Sequence, residues 1–298
     1  MNTPIILTAG VSIPLGGTAE PETSRLQNPF GTPMLIDEIR FDSNASSDDA
    51  ITNHLQTVFA QFHLGRVPLS NGYVPITSYG KILDPRINNM AGSTSGISLT
   101  WRLPRPLYVA PTEFLIPRFY YDRTIPDLIS GYFNNPATIY VTYVARTLPS
   151  DAKRPDNLPI PWVAYFRSGP QPITAGISEW FSRESDLVNS MNENLKLQRM
   201  IGRALFIDHA TPKVRDIMST LNSTVKITDS FGSIVVRDPT PFTHLFQMPG
   251  RAWTIDSLLP PKGFFLAEVR HDFPATLSNY SLVADISIVG HREVAARF

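Results

Sequence analysis

The chain has 298 residues, 26 basic and 26 acidic side chains, and a formal net charge of zero. Its charges are dispersed and matched, which excludes an electrostatic footprint for nucleic acid. It contains no cysteine, which excludes disulfides, thiolate nucleophiles and Cys–zinc sites.

Charged residues are 17% against 42% hydrophobic, with 27 prolines, whereas ordinary soluble domains carry about 25% charged residues. Such a chain suits short strands, punctuated by proline and with much surface hidden against neighbours. No apolar run reaches the roughly 18 residues that span a bilayer, and MNTPIILTAG has no basic n-region, so neither an anchor nor a secretory signal is expected.

Residues Met1–Gln27, rich in Gly, Thr and Pro around ILTAGVSI, read either as an extended arm able to join a neighbouring sheet or as a first strand. PMLIDEIRF (Pro33–Phe41) and TVFAQF (Thr57–Phe62) are apolar, strand-like runs. The turn formers DSNASSDDA (Asp42–Ala50) and NNMAGSTSG (Asn88–Gly96) mark loops. Pro111–Asp122, PTEFLIPRFYYD, is a strand entered through a proline turn and preceded by Trp101 and LPRPLYVAP. ATIYVTYVAR (Ala137–Arg146) alternates and closes the first half. Ser150–Pro161 is the most linker-like stretch, giving domains at 1–150 and 151–298. From Ile177 the residues Trp180, Phe181, Leu187, Val188 and Met191 follow a helical stripe, which predicts one short helix near 178–192.

The second half repeats the first. PKGFFLAEVRHD (Pro261–Asp272) echoes Pro111–Asp122 at an offset of 150, and it too follows a tryptophan, Trp253. LQRMIGRALF (Leu197–Phe206) echoes PMLIDEIRF at an offset of 165, placing Phe206 on Phe41. TVKITD (Thr224–Asp229) answers TVFAQF, PFTHLF (Pro241–Phe246) answers PITSY (Pro75–Tyr79), and SLVADISIVGHR (Ser281–Arg292) closes the half. This recurrence in one order reads as an internal duplication. The expectation is that Phe114, Ile116, Phe264 and Leu266 occupy equivalent places in two cores, with Phe264→Ala costing about 3–5 kcal/mol. Many short strands per half, without strand–helix alternation, give an all-β fold of two tandem jelly-roll-like β-sandwiches.

The search for chemistry returns no catalytic, cofactor-binding or metal residues. GSTSG (Gly92–Gly96) has Thr94 where a nucleophile elbow needs serine, and no phosphate-loop, dinucleotide or zinc-protease motif is present. His54, His63, His209, His244, His271 and His291 are scattered singly. Asp42, Asn44, Ser46, Asp48 and Asp49 could offer oxygens to calcium, yet Ser47 and Asn53 stand where an EF-hand needs Gly and Glu. The sequons at Asn44, Asn222 and Asn279 carry weight only in a secreted chain. Trp101, Tyr108, Tyr120, Tyr121, Tyr140 and Tyr143 could form a sugar-stacking platform, although their alternation places most in a core.

A duplicated sandwich of this size resembles the double jelly-roll capsid proteins of icosahedral viruses. RLQNPFGTPMLIDEIRF near the start is similar to jelly-roll structural or decoration proteins of bacteriophage heads. Both resemblances imply a virion component, and neither assigns a chemical site; no nucleophile, base and orienting partner can be assembled from motif spacing, so no enzymatic activity and no cofactor are expected. The implied partners are further copies of the chain, as a homotrimer, and other virion proteins. A glycan- or receptor-binding module on the same fold is the alternative.

Overall fold

In the computed structural model, the residues described are 3–13, 18–19, 26–45, 48–83, 98–121, 138–153, 157–168, 170–176, 180–182, 187–210, 213–216, 223–230, 234–246, 252–273 and 275–295. They form two compact units, the first from the strands up to Trp162 with the chain end from His291, the second from Val163 to Gly290.

The chain opens with β1 (Pro4–Ser12), β2 (Thr18–Ala19), β3 (Leu26–Gln27), β4 (Met34–Ser43) and α1 (Asp48–Thr57). There follow β5 (Val58–Leu64), β6 (Val67–Pro68), β7 (Val74–Pro75), a 3-10 turn at Ile76–Ser78, β8 (Lys81–Leu83), β9 (Ser98–Val109), β10 (Phe114–Tyr121) and β11 (Thr138–Thr147). They build two sheets, β1-β11-β4-β9-β8 and β2-β10-β5-β6, with β3 also on β10 and β7 also on β5.

Next come β12 (Asn157–Arg167), β13 (Gln171–Ile173), β14 (Trp180–Ser182), β15 (Leu195–Asp208), β16 (Lys213–Asp216), β17 (Ser223–Asp229) and β18 (Ile234–Pro241). The chain ends with α2 (Phe242–Leu245), β19 (Ala252–Leu259), β20 (Phe265–His271) and β21 (Leu277–Ala295). Their sheets are β12-β21-β15-β16, with β19 also on β15, and β14-β20-β17-β18. The order β1-β11-β4-β9 thus recurs as β12-β21-β15-β19, and β2-β10-β5 as β14-β20-β17. Two sheets with sequence-distant strands side by side, repeated in one order, are two tandem jelly rolls.

The registers agree residue by residue. Leu115 to Tyr121 pair with Leu64 to Val58, and Phe265 to His271 pair with Asp229 to Ser223. The ladder from β4 to β9 slips between Ile36 and Glu38, and that from β15 to β19 slips between Leu197 and Arg199. After the slip Ile39 faces Trp101 and Met200 faces Trp253, so the two tryptophans are equivalent. A side-chain hub recurs as well. Asn28 Nδ2 donates to the carbonyls of Thr32 (2.8 Å), Val109 (3.4 Å) and Ala110 (3.4 Å), and Asn189 Nδ2 to those of Glu193 (2.9 Å), Leu259 (3.0 Å) and Pro260 (3.0 Å). Each Oδ1 accepts the N–H two residues on, from Phe30 and Met191 respectively, both at 3.0 Å.

Four sequence expectations need correction. The paired registers set β4 on β15 at an offset of 161 (189 − 28 for the hubs that precede them), not 165. β15 has 14 residues against 10 in β4 and carries its extra length beyond the shared part, so Phe206 lies past the place of Phe41. The helix near 178–192 is not formed: Trp180–Ser182 is strand β14, paired with Arg270–Glu268 as β2 pairs with β10, and Val188 bridges to Phe264. Edge pairing has overridden a local helical period there. Helix α1 instead occupies the end of the stretch read as a loop at Asp42–Ala50 and runs up to β5. Finally, Phe114, Ile116, Phe264 and Leu266 are equivalent but only half-buried. The core face of the anchor strands is Leu115, Phe119 and Tyr121 in one unit and Phe265, Ala267 and Val269 in the other, because side chains alternate along a strand.

In the first core Phe62 packs ring to ring with Phe41 (5.9 Å), Tyr79 (5.6 Å), Trp101 (5.6 Å) and Phe119 (6.1 Å). These rings come from both sheets and lock them together. The second core is aliphatic by comparison, with Leu205, Ile207 and Val283 buried together, and Phe242 against Phe246 at 4.7 Å.

Candidate functional site

The sugar platform does not assemble. Trp101, Tyr108, Tyr121 and Tyr143 are buried, and Tyr120 packs between Phe59 (5.1 Å) and Tyr73 (4.8 Å). Tyr140 alone of the set is exposed, at 40%. Its ring lies over Gly10, whose missing side chain makes room for it.

The oxygen-rich loop is also divided. Asp48 and Asp49 start α1, Asn44 Oδ1 accepts the Thr138 N–H at 2.8 Å, and Ser46 and Ser47 lie outside the described residues. Burial raises the Asp42 carboxyl above its ordinary range, partly offset by Arg40. Residues 88–96, which hold GSTSG, are outside the described residues too. Among the described residues, no three His, Asp or Glu side chains gather as metal ligands, and no helix is long and apolar enough to cross a membrane.

Two of the histidines are built into hydrogen-bond bridges. His54, on α1, shares a 2.6 Å bond through Nδ1 with Ser43 Oγ on β4 and a 2.8 Å bond through Nε2 with the Tyr121 hydroxyl on β10. His271, on β20, shares a 2.7 Å bond through Nδ1 with Ser223 Oγ on β17, and Nε2 stands 3.5 Å from Ser168 Oγ. Burial pulls the imidazoles down to about 3 and about 4, and Asp272 only partly opposes this at His271. Both are therefore neutral near pH 7. A serine–histidine pair suggests nucleophilic catalysis, but an imidazole that resists a proton this strongly is a poor general base. His209 bonds Ser281 Oγ, His291 is buried, and His63 is half-buried on β5.

A buried charge cluster in the second unit was not read from the sequence. Asp285 accepts from Arg167 Nε (2.7 Å) and Nη2 (2.9 Å) and from Arg203 Nε (3.2 Å) and Nη2 (2.5 Å). Burial alone would raise its carboxyl, but the two guanidinium groups outweigh burial and hold it below the usual range. All three residues are under a tenth exposed. This is a structural tie across β12, β21 and β15, and an apolar strand pattern in which one Asp sits between Ala284 and Ile286 was its only sequence signal.

What faces solvent is the outer side of β1 and β11. Among the described residues, β1 forms the edge of its sheet and pairs only on its β11 side, and it alternates between exposed and less exposed residues. Ile6 is 68% exposed beside the Thr8–Thr142 and Ser12–Thr138 hydroxyl pairs at 3.1 and 3.0 Å. The equivalent strand β12 is buried in an unbroken run from Ile160 to Ala164. An uncovered edge strand with exposed apolar side chains suits protein contact rather than catalysis.

No family model and no curated protein matches the chain. It is similar over its length to solved viral capsid structures. PBCV-1 VP54, as fitted into a reconstruction of the virophage Sputnik, is 9% identical, with 100% of this chain and 98% of that one covered and a TM-score of 0.48. A quasi-atomic description of the PBCV-1 virus capsid is 9% identical over 100% and 98%, with a TM-score of 0.46. The Sputnik virophage structure is 9% identical over 98% and 85%, with a TM-score of 0.37.

Proposed function

We propose that this chain is a structural subunit of a virion, part of a capsid shell or bound to it, that works by self-assembly and not by catalysis. The observation that carries the reading is the duplication: two jelly rolls in one chain, with the same strand order and the same asparagine hub. Fold alone does not assign function, and the surface supplies the second support. The β1 edge, which no described strand covers, with Ile6 and Tyr140 exposed on its face, offers a contact surface, while zero net charge lowers repulsion between copies.

The finer reading is a homotrimer. Three chains bring six sandwiches around one axis, which lets a threefold oligomer fill a sixfold position in a lattice. The further partners are other virion proteins, those of a bacteriophage head being the narrower case. Light scattering on purified protein at micromolar concentration tests this: the mass of three chains, shifted toward one chain by Ile6→Asp with Tyr140→Asp, is expected. A monomer in both samples sinks the assembly reading.

A further inference from the structure

The free side of β1 is already phased to take a further strand. The Thr147 N–H donates to the Thr3 carbonyl at 3.0 Å, and the ladder runs on from Pro4 opposite Arg146 to Ser12 opposite Thr138. In an antiparallel pair only alternate residues bond across, so Ile5, Leu7, Ala9 and Val11 spend their backbone groups on β11, while those of Ile6, Thr8, Gly10 and Ser12 point away from it. The hydroxyl contacts of Thr8 with Thr142 and of Ser12 with Thr138 fit this phase, because side chains stand closer in the pairs that do not bond. The same alternate residues are the exposed ones, and at Gly10, which has no side chain, the exposed surface is the backbone itself. Among the described residues no strand takes these groups. The edge is also unguarded. Edge strands are ordinarily protected by charge, bulges or proline, yet Thr3–Ala19 holds no charged side chain. The β1–β11 ladder has no register shift, although β11–β4 and β4–β9 each have one, and Pro4 stands only at the strand's end.

We propose that the β1 edges of two copies of this chain pair antiparallel about a twofold axis at Thr8, so that the sheet of one copy continues into that of the other. The proposal rests on the assembly reading and names one of its contacts. In that register Thr8 faces the second copy's Thr8 and Ile6 faces its Gly10, and each of these positions offers both an N–H and a carbonyl. Pro4, the position without a donor, falls opposite Ser12 at the rim of the ladder. A threonine pair at the axis suits a sheet. Ile6 is 68% exposed, and the missing side chain of Gly10 lets the second copy's Ile6 reach the Tyr140 ring that lies over that glycine. A twofold contact sets like against like, so charge near the axis would repel its own copy, and Thr3–Ala19 carries none. One strand pair is smaller than the roughly 1,200 Å² at which standard stable interfaces begin. The contact is therefore weak between two chains alone, and it suits the repeated links between subunits of a lattice, each of which carries its own β1.

Light scattering from micromolar to near-millimolar protein reads the contact. The mass at the dilute end gives the basic unit, three chains on the assembly reading and one chain if that reading fails, and growth with concentration reports the β1 edge in either case. The wild type should at least double in mass. Thr8→Pro removes only the outward N–H and spares the ladder to β11, so it should keep the wild-type circular dichroism and hold the mass at the basic unit. A wild-type mass that does not grow, or equal growth in Thr8→Pro, overturns the proposal. Should Thr8→Pro not fold, the absence of cysteine from the chain allows a second measurement. Under mild oxidation Thr8→Cys, at the axis, should cross-link into two-chain species, and Ser12→Cys, away from the axis, should not. Equal cross-linking of the two, or none in Thr8→Cys, overturns it.

Discussion

Gly202 lies directly beneath the ring of Phe246, so close that a methyl group added there would fall 2.1 Å from a ring carbon. The matching residue of the first unit is Phe41, stacked on Tyr79 at 6.4 Å. The two aromatics, Tyr79 and Phe246, follow equivalent helical turns that begin after Pro75 and Pro241. One copy fills the space from both sides; the other gives it all to Phe246. Gly202→Ala should therefore destabilise by overpacking, about 1–3 kcal/mol, and Phe246→Leu in the same chain should recover part of that in urea denaturation.

The asparagine hubs predict a larger, paired effect. Asn189 is fully buried and Asn28 nearly so, and each donates to three backbone carbonyls, of which Ala110 O and Pro260 O also accept a turn N–H. A buried polar group left unsatisfied costs about 1–3 kcal/mol. Asn28→Ala and Asn189→Ala should each lose roughly 2–4 kcal/mol, comparable in the two units, and Asp, which lacks the donating amide, should not restore it. A loss below about 0.5 kcal/mol at either counts against the hub.

Along the anchor strands, Phe265→Ala should cost about 3–5 kcal/mol, and Phe264→Ala clearly less, as read by thermal and chemical denaturation. The sequence made the duplication, the all-β class and the anchor alignment legible because Pro111 and Pro261, and Phe114 and Phe264, repeat as residue types. It did not show which of Phe264 and Phe265 faces inward, since both are apolar and period-two alternation is silent when neighbours match. The stripe from Trp180 to Met191 has a true helical period, and only the need for a strand beside β20 overrides it. Helix α1 left a signal at Ala50, Ile51, His54 and Leu55, spaced for one helical face after two acidic residues, but the turn formers before it masked the start. The Asp285 cluster and the histidine bridges depend on residues more than 40 positions apart in most of their pairs, beyond any local pattern.

Asp285→Ala removes the carboxylate that two buried guanidinium groups share, so a loss of about 3–5 kcal/mol is expected. A carboxylate held below its ordinary value contributes stability that is intact above about 3.9 and is lost as pH falls through the lower folded value. The cluster should therefore be silent between pH 5 and 7. A stability profile in which Asp285→Asn alters the slope across that window contradicts this assignment.

The reading as a virion subunit is tested most directly by electron microscopy of the purified full-length protein, over a concentration series. The expectation is particles with threefold symmetry and the mass of three chains, associating into sheets or closed shells as concentration rises. Fields of single chains at every concentration, with intact fold by circular dichroism, would contradict it.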